Sequence, residues 1–151
     1  MKKYLYLLFV AMFASMTFAL TGCSDDDDEP TSSNGKYELT IDGKKYSFDR
    51  ALPNDSGTDY ACMLYDNDNI LSFSISGWDK VVKGTALTDK NFILGWNSNK
   101  AVIGKPAANT SVKVTARDLQ SVTISFNNAK FEDGLGIESF TVNGTVTLPL
   151  K

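Results

Sequence analysis

The sequence contains no histidine. That absence excludes Ser-His-Asp and Cys-His nucleophilic sites, histidine general bases and most zinc sites. Cysteine is nearly as scarce, with Cys23 and Cys62 alone. Nor is there an excess of positive charge: 15 basic residues face 18 acidic ones. No window of eleven or more residues shows a helical apolar stripe, although Lys80 to Leu87 has the composition for one turn. No glycine pattern cradles phosphate, because Gly134-Leu135-Gly136 sits between strand-like segments and opens no helix. "SFSISG" lacks the glycine two positions before Ser76 that a nucleophile elbow requires.

The one long apolar run is Tyr4 to Leu20, preceded by Lys2 and Lys3 and broken only by Ser15 and Thr17. At seventeen residues it lies at the lower limit for crossing a ~30 Å hydrocarbon layer. It ends in Leu20-Thr21-Gly22-Cys23, which resembles the bacterial lipobox, whose cysteine thiol takes a diacylglycerol before the signal is cut off. The resemblance implies a signal peptide over 1–22 and lipidation at Cys23, anchoring the mature chain to the membrane without spanning it. Each buried methylene of such an anchor contributes about 0.8 kcal/mol.

Residues 23–35 then read as a lipidated cysteine and a disordered acidic tether. The run Asp25-Asp26-Asp27-Asp28-Glu29 is followed by small and polar residues. Twelve residues reach at most roughly 40 Å. Cys-Ser followed by acidic residues resembles the export signal of surface lipoproteins of Bacteroidota, which implies the outer face of the outer membrane. A periplasm-facing lipoprotein is the alternative, with the acidic run as a plain spacer. From Pro30 onward acidic and basic residues balance at thirteen each. A neutral domain without a basic stripe argues against nucleic acid or an anionic lipid surface as a partner. With Cys23 acylated, Cys62 has no disulfide partner, so residues 36–151 form a single domain held by its core.

In that domain the apolar period is two. Tyr37, Leu39 and Ile41 alternate with polar residues, and Tyr46 and Phe48 resume on the opposite parity after Asp42-Gly43. A two-residue turn with positive φ at both positions explains the switch and pairs Leu39 with Tyr46 and Tyr37 with Phe48. A turn at Asn67-Asp68 likewise sets Leu64 against Leu71, Cys62 against Phe73 and Tyr60 against Ile75, making Cys62 a core residue and sending Ser72, Ser74 and Ser76 outward. The other face of the Tyr60–Tyr65 segment carries Ala61, Met63 and Tyr65, so it is a candidate for cover on both sides.

A third hairpin around Leu119 brings Ala116 to Val122, Val114 to Ile124 and Val112 to Phe126, with a bulge at Asn127-Asn128. Phe140, Val142, Val146, Leu148 and Leu150 keep even parity through Asn143-Gly144, which predicts one long strand, with Pro149 placing its end at a sheet edge. "NFILGW" and Ala101–Ile103 are short strands and "GKPAANT" a loop. Eight or nine short antiparallel strands predict an all-β fold, a β-sandwich, with a partly closed barrel as the alternative.

Few residues suggest chemistry. Asp66 to Asn69 offers oxygens for a hard cation but lacks the glycine and distal glutamate of a calcium loop, so it reads as a turn. Asp42, Asp66, Asp68, Asp118 and Asp133 all fall at turns, and no pair is fixed at the ~5 to 9 Å that glycoside hydrolysis uses. Trp78 and Trp96 each follow a glycine beside a polar residue. They are the only candidates for stacking on a sugar, with Trp78 expected exposed and Trp96 buried.

The phrases "IDGKKYSF" and "FTVNGTVTLP" resemble those of small all-β surface lipoproteins of Bacteroidota of unknown function, which implies fold and placement but assigns no functional residue. The expectation is a non-catalytic module without metal or cofactor, binding a glycan or a partner envelope protein. The alternatives are a structural envelope component and a carboxylate-dependent enzyme.

Overall fold

The computed structural model describes residues 37–151, so the signal peptide, Cys23 and the acidic tether lie outside the described residues. The described chain is all-β, with no helix long and apolar enough to cross a membrane. Its strands are β1 (Tyr37–Ile41), β2 (Lys44–Phe48), β3 (Arg50–Asp55), β4 (Asp59–Tyr65), β5 (Ile70–Ser76), β6 (Phe92–Asn97), β7 (Ala101–Pro106), β8 (Ser111–Arg117), β9 (Ser121–Glu132) and β10 (Ser139–Pro149).

All pairings are antiparallel, and they form one ten-stranded sheet in the order β2-β1-β10-β9-β7-β6-β5-β4-β3, with β8 also on β9. The sheet is not closed, because its two ends, β2 and β3, follow each other in the chain without pairing. It folds over on itself in a sandwich-like arrangement around one core, which includes Phe73, Phe92, Phe126, Phe131 and Phe140.

Two hairpins form in the register that parity predicts. Leu39 pairs Tyr46 and Tyr37 pairs Phe48, across a turn whose Asp42 and Gly43 have φ of 49° and 78°. Cys62 faces Phe73 and Leu64 faces Leu71. The Asn127-Asn128 bulge is present, with Asn128 at φ 44° and two residues of β9 opposite Asn143 of β10. β10 runs unbroken through Asn143-Gly144.

Several expectations are corrected. The strands number ten, because β3 was missed: Pro53 and the polar Asn54 and Asp55 disguise it, yet it pairs with β4 from Tyr60 to Tyr65. Ala116 pairs Thr123 and Arg117 pairs Val122, since an irregularity between Val114 and Ala116 absorbs one residue. Gly104 to Pro106 belong to β7 and not to a loop. β10 lies between β1 and β9, but in its register with β1 the first described residue, Tyr37, falls opposite Val146, so the Pro149 end is paired with β9 alone, as the proline predicts; its carbonyl accepts the Tyr60 hydroxyl at 2.6 Å. The one turn of helix is a 3-10 turn at Trp78–Lys80, two residues before the predicted start. Ser72 and Ser74 are buried, although they point away from the core between larger neighbours.

β7 joins the two halves of the sheet. Leu94 pairs Gly104 on β6, and one residue later Lys105 pairs Glu132 on β9. A Cβ on Gly104 would lie 2.9 Å from the Phe131 Cβ and 3.1 Å from the Glu132 backbone nitrogen. Only glycine fits where one strand crosses so close to another.

Candidate functional site

Neither tryptophan offers a face to a ligand. Trp96 is buried, as expected, with its ring edge-on to Tyr46 at 4.7 Å. Trp78 was expected to be exposed and is 1 % exposed. Three contacts that no local pattern announces take it out of solvent. Its ring stacks on Tyr60 at 4.7 Å, its indole N–H donates to Asp55 at 3.0 Å, and the Arg117 guanidinium lies 3.6 Å from its centroid. Arg117 also donates to the carbonyl oxygens of Trp78 and Val81. The guanidinium thus fills two roles at once, a cation over an indole and a clasp on the 3-10 turn.

Cys62 is 1 % exposed. Burial pushes its thiol up to about 12, outweighing the nearby Tyr60 hydroxyl and Leu52 backbone, which act the other way. Burial also raises the Tyr60 hydroxyl, helped by Cys62, Asp55 and Tyr37 close by. The folded thiol therefore keeps its proton to higher pH than the unfolded one, whose ordinary value is 9.0. Its contribution to stability is complete below pH 9 and is lost as pH rises towards 12, with Tyr60 adding to the same alkaline loss. The native protein at neutral pH should resist a maleimide reagent and label only in denaturant, while the urea midpoint should start to fall above about pH 9. Rapid native labelling would place Cys62 outside the core.

The Asp66 carboxylate is occupied by its own turn. It accepts the backbone N–H groups of Asp68 and Asn69, each at 2.8 Å, and the Asn69 side chain at 3.0 Å. Slight burial pushes it up, but these donors prevail and hold it below the usual carboxylate range. Asp118 is held below that range by the N–H groups of Gln120 and Ser121. Among the described residues no group of three or more Cys, Asp or Glu side chains is arranged to hold a metal ion.

The two outer faces of the folded sheet differ in chemistry. Over β1, β2, β8, β9 and β10 the outward positions are mostly polar, with Glu38, Thr40, Lys45, Ser47, Lys113, Thr115, Thr123, Ser125, Thr145 and Thr147 against the small Ala116 and Pro149. Thr123 and Thr147 hydrogen-bond across the strands at 2.9 Å, and Lys45 pairs with Glu38.

Over β3 to β7 the outward positions form registered rows. Leu52, Met63, Ser72, Gly95 and Ile103 lie in one line across five strands. Arg50, Tyr65, Ile70, Asn97 and Ala101 lie in the next, and Asn54, Ala61, Ser74 and Ile93 in the third. In the first row the small Ser72 and Gly95 lie between Met63 and Ile103, which leaves a shallow trough there. Leu52 is 41 % exposed, and Met63, Tyr65, Ile70, Ile93 and Ile103 are half-buried. Arg50 is the one charge within these rows and rests over the Tyr65 ring, while exposed Lys105 continues the outward alternation of β7 beyond Ile103. Ala61, Met63 and Tyr65 were legible as a second apolar face. The rest of the trough was not, because Leu52 belongs to the missed strand and Ile93 and Ile103 lie in single short runs.

Compared with known proteins, the chain matches no family model, no curated protein and no solved structure.

Proposed function

We propose that this protein is a non-catalytic module of the cell envelope, anchored through lipid on Cys23 at the outer face of the outer membrane. There it holds a partner envelope protein against the outer face of β3 to β7. The observation that carries this reading is the contrast between the two outer faces. An apolar face on one side only is what a domain needs when a second protein supplies its cover, and apolar patches of a few hundred Å² on otherwise polar surfaces mark such contacts.

Five strands ~4.8 Å apart and three rows ~6.8 Å apart give about 490 Å². That is a little over half of one partner's share of a standard interface. Holding both proteins on one membrane raises their effective concentration and compensates for the small area. A glycan ligand has less support, since both indoles are buried.

Ile93→Asp places a charge in the trough without touching the core. It should change stability by about 1 kcal/mol or less, yet abolish co-isolation of a partner with the lipidated chain after cross-linking of intact cells. Thr123→Asp, on the polar face, should not. Equal recovery with both variants would sink the reading.

A further inference from the structure

We propose that the end of the domain carrying the turn between β8 and β9 rests on the membrane, with Leu119 and Val82 dipping into the headgroup boundary. The inference rests on the lipid anchor at Cys23 and adds an orientation to it. Leu119 is 90 % exposed and Val82 is 62 % exposed.

Neither tip is slack. The Asp118 carboxylate accepts the N–H groups of Gln120 and Ser121 at 2.8 and 2.7 Å, and the Asp118 N–H closes the turn on the Ser121 carbonyl. In the other loop the Val82 N–H donates to the Thr85 hydroxyl at 2.9 Å. Arg117, two residues from Leu119, grips the carbonyl of Val81, next to Val82. One guanidinium therefore ties the segment that carries Val82 to the strand that leads into Leu119. Tips held by turns lose little freedom on insertion.

The chain enters from this side as well. Leu39 lies against Gly144, so Tyr37, two residues back, lies towards the Pro149 end of β10. There the Leu150 N–H bonds the Gln120 carbonyl, bringing Lys151 beside the turn. Lys80 and Lys83 flank Val82 in the sequence and are exposed. Their long stems can lie along the boundary with the ammonium groups among lipid phosphates. Against them stand exposed Asp79 and the engaged Asp118, so apolar insertion matters more than net charge. Two side chains alone bind a bilayer weakly. A lipid-anchored tether that reaches at most roughly 40 Å would keep them at the surface, and that restraint makes a weak contact effective. At the other end of β9, Leu135 and Ile137 are comparably exposed, at 81 % and 77 %, but that end lies away from Tyr37, where the described chain begins, and its Glu132 and Glu138 are paired with Lys130 and Lys100.

The test uses the full lipidated chain in phosphatidylethanolamine–phosphatidylglycerol vesicles. An environment-sensitive dye is attached at Leu119→Cys, Val82→Cys or Leu135→Cys; buried Cys62 takes no label in the native protein. On floated vesicles the dyes at 119 and 82 should shift to the blue and lose about half or more of their emission to nitroxide-labelled lipid. The dye at 135 should keep its emission in water. Equal quenching at 119 and 135, or none at 119 on vesicles that do carry the chain, overturns the proposal. A chain that fails to float shows that the anchor itself is absent, and the orientation falls with it.

Discussion

Gly104→Val should leave a chain that no longer unfolds in a single cooperative transition. The added side chain meets the Phe131 Cβ and the Glu132 backbone, neither of which is the movable end of a flexible group. β7 must then move off β9, and the pairings of Lys105 with Glu132 and Pro106 with Phe131 are lost. These are the pairings that join the two halves of the sheet. Gly104→Ala isolates the steric part and should cost about 1 to 3 kcal/mol, the usual range for overpacking. Ile103→Val, one residue away on the outer face, is the control and should cost no more than about 1 kcal/mol. Urea titration of the three variants checks the order, and a wild-type midpoint for Gly104→Ala would contradict the close approach.

Trp78→Ala should be the most damaging truncation at either tryptophan, at ~3 to 5 kcal/mol. It removes a fully buried ring, leaves Asp55 without the indole donor and takes the aromatic face from Arg117. Domains of this kind hold about 5 to 15 kcal/mol in all. The variant should melt roughly 12 to 20 °C below the wild type. Arg117→Lys keeps the charge but loses the planar fork that reaches two carbonyls, so it should be destabilising too, by about 1 to 3 kcal/mol. Iodide should quench neither tryptophan in the folded wild type. Ready quenching of Trp78 would return it to the surface and restore a stacking platform for a sugar.

The strands that sequence discloses are those whose information is local. Asp42-Gly43 sets its own turn and fixes the partners of Leu39 and Tyr37, and the serine alternation of β5 fixes those of Cys62 and Leu64. What stays hidden depends on contacts between distant segments. Nothing near Gly104 says that Phe131 will lie against it. Trp78 looks exposed beside Asp79 and Lys80 because Arg117 and Asp55, 39 and 23 residues away, close over it. The trough was half legible for the same reason. β4 shows its second apolar face in its own sequence, whereas the row from Leu52 to Ile103 appears only when five strands are in register.

The polar face has no need of a partner. Thr123 bonds Thr147 and Lys45 pairs with Glu38 across its strands, and such exposed pairs add little stability. The apolar face gains by being covered, and this difference is the basis of the functional reading.

The most direct test is to place a photo-crosslinking amino acid at Ile93, or at Thr123 on the polar face, in the lipidated protein on intact cells. A discrete adduct with one protein from position 93, and none from position 123, is the predicted result. No adduct from position 93, or the same adducts from both faces, would contradict the claim that the outer face of β3 to β7 is where this protein meets its partner.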